Sequence, residues 1–472
     1  MFVVTIVLIF SLSSCRPATC SDGNFYARPG VSPGEILRAR GFLVREHYVV
    51  SEGGYKLRVT QADNPAIKNA NRDPILFVHG VIENDSIFVI NSKNVSPKDF
   101  SNLRLEDEKT VNETILQDPS SRALPILALQ FGHTVFILSR RGFPGSQQRL
   151  GDPNTIDPET DLSQPPDLSG VSDGLLTSIP GALVDYGNLP AQVRFTLNRN
   201  YWNFSYDEQA QFDYPKVIDF VLEQTGRPRL AIVSHSTGAT LILAALTTQP
   251  KLADKISANI LWAEGLSLGH GDIFNPLVIF EGLFSAYLGP IPPSFSSTQI
   301  QAFVSLLCAK KILQRTLCEG VGDLILGPSG FKEPITAEYF NTLLYPTASH
   351  EFAQNEQCVK LGKRMHMFDY GKERNMRLYN QTKPPLYDAS KITLDRMSFY
   401  TSKTDQLVSF RDVEATISQL TGKSSVEYLH FCFQAVGARR LTGTGIQFRT
   451  NTTLSTSCLT ILATSIMTKT AL

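Results

Sequence analysis

The sequence predicts an α/β fold, a mostly parallel central sheet with helices on both faces. Three observations carry that expectation. Short, mainly apolar runs recur at residues 74–78, 134–138, 230–233 and 258–263. Strands buried on both faces read as such runs rather than as alternation. Helix-compatible stretches separate these runs, and parallel strands need crossovers of that kind. The run at 230–233 ends in Ser234-His235-Ser236-Thr237-Gly238 and continues into an apolar stretch at 239–246. That is a strand turning sharply into a helix around one serine. In such a sheet, ligands bind beyond the carboxyl ends of the strands.

The elements follow in order. Residues 1–10 are almost wholly apolar, and Ser11, Ser13, Ser14 and Ala18 come next. This is the layout of a secretory signal peptide over 1–20, too short to span a bilayer. Residues 12–15 also fit a lipoprotein cleavage box, although no Lys or Arg precedes them. Residues 41–50 and 55–60 alternate around Glu52-Gly53-Gly54, which predicts an opening β-hairpin. The run 74–78 ends in His79-Gly80-Val81, and 134–138 ends in Ser139-Arg140-Arg141-Gly142. Residues 94–120 are polar and charged, and 147–200 are rich in Pro and Gly. Both read as loop-like insertions, surface elaboration by default. From 266 to 387 the chain is aromatic and Pro-rich, with little strand signal. Strand signal resumes at 396–401 and 426–431. Residues 432–472 are rich in Thr and Ser, with no apolar stripe to bury, and are expected to pack poorly.

Composition narrows the function classes. Hydrophobic residues make up 42% and charged residues 19%, which fits a globular chain with a full core. Lys+Arg and Asp+Glu balance at 44 each, so no net field attracts nucleic acid or an anionic membrane. The seven cysteines are Cys15, Cys20, Cys308, Cys318, Cys358, Cys432 and Cys458. An odd count leaves at least one unpaired or removed, and no pair has zinc-ligand spacing. No metal and no other cofactor is implied. Asn-x-Ser/Thr sequons agree with export, and Asn84, Asn112, Asn203 and Asn380 are the candidate glycosylation sites. The sequon at Asn94 is followed by proline, and another lies at Asn451.

Ser236 stands where a nucleophile elbow needs its serine, and Gly238 supplies the small residue two positions on. Ser234 stands where that pattern has glycine. Upstream lies Trp202-Asn203-Phe204-Ser205-Tyr206-Asp207-Glu208, then Asp213-Tyr214-Pro215 opening a helical stretch. In this order the motifs resemble the acid lipase family of α/β-hydrolases, the gastric and lysosomal acid lipases and their invertebrate and plant relatives. The likeness runs from about residue 41 to about residue 430. It implies an α/β-hydrolase fold with an inserted helical cap: core 41–265, cap 266–387, core 388–431 and an atypical tail 432–472. It also implies a Cys308–Cys318 bridge within the cap. The implied activity is serine-dependent hydrolysis of lipid esters, triacylglycerols or sterol esters. It would take place at a lipid–water interface, in a secreted or lysosomal protein with no transmembrane segment.

Ester hydrolysis through an acyl-enzyme needs a nucleophile, a proton shuttle and donors for the oxyanion. Ser236 is the expected nucleophile, and the backbone N–H groups of Val81 and Thr237 are the expected oxyanion hole. On the resemblance, Asp405 after the strand at 396–401 is the acid, and Asp412 begins the next helix. His79 and His235 are expected to shape and pack the site rather than to act as base. The base is the open member. His430 is the only histidine after Asp405. It falls inside a strand run, earlier than the family pattern places the base, and the residues beyond Phe431 do not resemble the family. Three readings stand. His430 serves through a shifted loop, the chain is a lipid-binding relative that does not hydrolyse, or the tail is a substituted C-terminus. An acyl-enzyme would also suit an acyltransferase.

Overall fold

The computed structural model describes residues 31–68, 72–92, 94–103, 111–115, 117–155, 191–271, 342–343, 345–394, 396–403, 405–420, 426–431, 438–442 and 445–449. Beyond residue 425 the description covers the backbone alone. The signal-peptide segment, Cys308 and Cys318, and most of the expected cap lie outside the described residues.

The strands are β1 (Leu43–Val50), β2 (Tyr55–Asp63), β3 (Ile75–Val78), β4 (Val135–Leu138), β5 (Gln148–Arg149), β6 (Leu230–His235), β7 (Ile256–Trp262), β8 (Met397–Ser402), β9 (Val426–Phe431), β10 (Ala438–Thr442) and β11 (Gly445–Arg449). They form one sheet in the order β1-β2-β4-β3-β6-β7-β8-β9-β10-β11, with β5 paired to β2. From β4 through β3, β6, β7 and β8 to β9 every pairing is parallel. The β1–β2, β2–β4, β9–β10 and β10–β11 pairings are antiparallel. This is a mostly parallel mixed sheet with flanking helices, of the α/β-hydrolase type.

The unbroken apolar runs have a direct physical reading. Successive residues of β3 and β6 point to opposite faces, and both faces are covered. Leu76, Val78, Leu230 and Ile232 enter one core, with the helices Tyr214–Thr225 and Thr237–Thr248. Ile75, Phe77, Ala231 and Val233 enter the other, with Pro33–Ala39 and Leu124–Gln130. A strand polar on alternate positions could not serve both.

Three segments differ from the sequence expectation or refine it. The stretch 94–120 is more than surface elaboration, because Val95, Phe100 and Ile115 are buried in the second core. Its polar composition hides three widely spaced anchors. Within 266–387, the described residues 345–387 are built into the first core through Cys358, Met365 and Tyr387. Among the described residues, no strand of the sheet lies between β7 and β8. In the tail, residues 438–442 and 445–449 continue the sheet as an antiparallel pair beside β9.

Candidate active site

The centre of the site is the turn between β6 and the helix Thr237–Thr248. Ser236 occupies it with φ 52° and ψ −123°, left of the region most side chains tolerate. A non-glycine residue in such a conformation is strained by about 1–3 kcal/mol and persists only where its surroundings over-determine it. Here they do. The Ser236 N–H donates to Trp262 O at 2.7 Å, and β6 is paired on both sides. Gly238 packs flat against the end of β3, where an added Cβ would lie 2.7 Å from both Val78 O and His79 O. Gly80 does the same from the other side, and a Cβ there would lie 2.8 Å from Ser236 Cβ and 3.3 Å from its Oγ. Ser234 is buried and its hydroxyl reaches Ile260 O at 3.5 Å, so serine is accommodated where glycine was expected.

The loop after β3 is clamped from several directions. His79 Nε2 accepts the Arg140 N–H at 3.0 Å, and Nδ1 lies 2.9 Å from Gly80 O. An imidazole that accepts at one nitrogen and donates at the other is neutral. Burial, and then the Arg140 charge, hold the His79 pKa well below its ordinary value, in agreement. His79 is therefore a structural pin. Arg140 also donates to Gly80 O at 3.0 Å and is held in turn by Glu351 at 3.1 Å and Gln209 at 3.0 Å, all buried. Tyr345 N–H donates to Ile82 O, and Asn84 N–H to Thr342 O. Among the described residues, neither the Val81 nor the Thr237 amide donates to another backbone carbonyl. Both flank the Ser236 turn.

Sequence reasoning missed Glu83. Its Oε1 accepts the Gly80 N–H at 2.5 Å and lies 2.6 Å from His235 Nδ1. The only signal was a carboxylate three residues after the His-Gly turn. Burial works against a charged His235, but the Glu83 carboxylate and, more weakly, Asp405 outweigh it and hold the imidazole above its ordinary pKa.

Asp405 lies in the loop that follows β8, and its Oδ1 accepts the amides of Leu407 and Val408 at 2.9 Å each. Burial raises its pKa, opposed by those amides and by His235. Asp412 closes a capping box with Ser409 on the helix Phe410–Gln419 and accepts His270 Nδ1 at 2.6 Å. His430 is held in the sheet, in register with Thr401 of β8 on one side and Arg439 of β10 on the other. Among residues whose side chains are described, none hydrogen-bonds the Ser236 hydroxyl. Ser236, Gly80, Glu83 and His235 therefore stand together, with Asp405 facing His235. His430 stays on a paired strand.

The expected glycosylation sites divide. Asn203 and Asn380 are exposed. Asn84 is only 2% exposed and caps a short helix by accepting Ser86 N–H, so the folded chain offers no room for a glycan there. The Asn112 side chain lies outside the described residues.

No family model matches the chain. Among curated proteins, Lipase member N of Mus musculus is 28% identical over 266 residues, covering 52% of this chain and 64% of that protein. Gastric triacylglycerol lipase of Bos taurus is 27% identical over 244 residues, covering 49% and 60%. The chain thus matches less than two thirds of the length of these two relatives. The Tear acid lipase-like protein of Mesocricetus auratus is 25% identical over 419 residues, covering 84% and 85%. The chain is similar to these lipases at 25–28% identity. A solved structure of a soluble variant of monoglyceride lipase from Saccharomyces cerevisiae aligns to this chain with a TM-score of 0.44 and 12% identity, over 91% of this chain and 96% of that one.

Proposed function

We propose that the chain is a carboxylic ester hydrolase acting on lipid esters, triacylglycerols or sterol esters, with Ser236 as nucleophile. The observation that carries this reading is the φ of 52° at Ser236, at the apex of a strand–helix turn. Attack on an ester carbonyl would leave the oxyanion facing the amides of Val81 and Thr237. Asp405 is the acid in this reading, and His430 is the base candidate carried over from the family order. The lipase names of the relatives support the substrate class.

Residues 266–387 form the cap in this reading and would supply the acyl channel. Secretion or a lysosomal destination rests on the apolar stretch before Ser11 and on the sequons. No described helix is long and apolar enough to cross a membrane.

The test is covalent. A fluorophosphonate probe is expected to label the wild-type chain, and Ser236→Ala is expected to lose both labelling and ester hydrolysis. Labelling that persists in Ser236→Ala sinks the assignment. One observation favours a second reading, a lipid-binding relative that does not hydrolyse: the His430 backbone is paired on both edges. Loss of a triad member costs several orders of magnitude. Tight binding of an ester analogue without labelling or turnover would select that reading.

A further inference from the structure

We infer that Glu83 is a positioning residue for the oxyanion loop, and that its pair with His235 keeps an anion from facing the oxyanion site. This rests on Ser236 being the nucleophile.

Glu83 is 5% exposed and sits on the loop whose Val81 amide is a proposed oxyanion donor. One carboxylate oxygen takes two contacts, the Gly80 N–H at 2.5 Å and His235 Nδ1 at 2.6 Å. The first fixes the turn that presents Val81. The second ties that turn to the residue immediately before the nucleophile. The space beside the Gly80 Cα is bounded on one side by Ser236 and on the other by this carboxylate: a Cβ there would lie 2.9 Å from Glu83 Oε1 and 2.8 Å from Ser236 Cβ. A bare carboxylate so placed would repel the negative charge that develops on the substrate oxygen. An imidazolium beside it cancels that repulsion in a site of low dielectric, where such effects are large.

The groups that face His235 are Glu83 from the loop after β3, Asp405 from the loop after β8, and the neutral His79 at the end of β3. The two carboxylates raise the His235 pKa, so the cationic pair persists below that raised pKa. It is lost as pH rises through it. Acylation of Ser236 should therefore fall on the alkaline side.

The experiment measures fluorophosphonate labelling of Ser236 against pH in wild type, Glu83→Gln and Glu83→Ala. Thermal melts check that each variant is folded. Glu83→Gln keeps an acceptor for the Gly80 N–H but carries no charge. It should label within about threefold of wild type at low pH and lose the alkaline decline. Glu83→Ala loses the clamp and should label at least about tenfold more slowly at every pH. Selective ¹⁵N-histidine NMR gives a readout independent of reactivity: the His235 titration should move down in Glu83→Gln, which lacks the carboxylate that raises it. Unchanged labelling in Glu83→Ala, an unchanged alkaline decline in Glu83→Gln, or an unmoved His235 titration would overturn the inference. A wild-type chain whose Ser236 resists the probe would count against the nucleophile assignment, while the His235 titration still decides the pairing.

Discussion

At the scale of single residues, the site divides into what is local in sequence and what is not. Ser236 and Gly238 were legible because the elbow is a five-residue device whose steric demands are met by its own members. Gly238→Ala would drive a methyl group to 2.7 Å from the backbone oxygens of Val78 and His79, at the end of β3, which cannot move aside. Overpacking of that kind costs about 1–3 kcal/mol, so a lowered Tm and slower labelling of Ser236 are expected. The Glu83–His235 contact was invisible because its partners lie 152 positions apart. Glu264 was equally silent. It is fully buried after β7, and its Oε2 accepts Leu266 N–H at 2.8 Å. Burial pushes its pKa up to about 8. The folded state therefore holds this proton above the pH at which the unfolded chain releases it. That stabilisation is complete below the unfolded carboxylate value and is lost as pH rises towards 8, at up to ~1.4 kcal/mol per unit. His79 and His133, whose pKa values burial lowers, act in the opposite sense below about pH 6.5, whereas His235, raised by Glu83, adds a fall of its own that Glu264→Gln leaves in place. Denaturant midpoints between pH 6.5 and 8 should thus fall in wild type and fall less steeply in Glu264→Gln; equal slopes would count against a neutral Glu264.

At the scale of elements, the helix Ser349–Lys360 is joined to the loop after β3 by charge. Glu351 on that helix is 0% exposed and meets Arg140, which in turn holds Gly80 O. Removing one member of such a pair leaves an uncompensated buried charge, a loss of about 3–5 kcal/mol. Glu351→Ala is expected to show that loss in urea unfolding, together with loss of Ser236 labelling. A variant as stable as wild type would mean that water reaches Arg140. The helix was foreseen only as part of a cap, since its sequence is polar and offers no wide apolar stripe. Its anchoring groups are Glu351, Gln354 and Asn355, all buried, and a reading based on hydrophobic period cannot see them. The reverse held for β3, β4 and β6, whose runs of apolar residues state their double-sided burial directly.

At the scale of the whole molecule, the sheet explains why the motifs occur in their order. Adjacent parallel strands β3, β6, β7 and β8 bring the Gly80 turn, Ser236 and the Asp405 loop to one edge. That layout was readable from apolar runs and turns. The extension by β10 and β11 was not, because a Thr-rich stretch names no partner. These two strands cover the outer side of β9. Deleting residues 438–472 would leave β9 as an open edge with unpaired backbone groups, a template for association. Light scattering should then rise with concentration; a monodisperse truncated chain would show that the edge is harmless. The tie between residues 345–387 and the core has a consequence for making chimaeras. Tyr345 is bonded to Ile82, Glu351 to Arg140, and the Tyr387 hydroxyl to Asp207 at 2.6 Å. A foreign acyl-recognition segment grafted across the whole of 266–387 would bring a new chain to each of these contacts and disassemble the loop that faces Ser236. A graft that spares these contacts starts after Gly271, whose backbone lies tight against the Asp405 loop, and ends before Thr342, which accepts from Asn84. Junctions between those two points keep Tyr345, Glu351 and Tyr387 as the host's own residues, each still facing the partner it evolved beside.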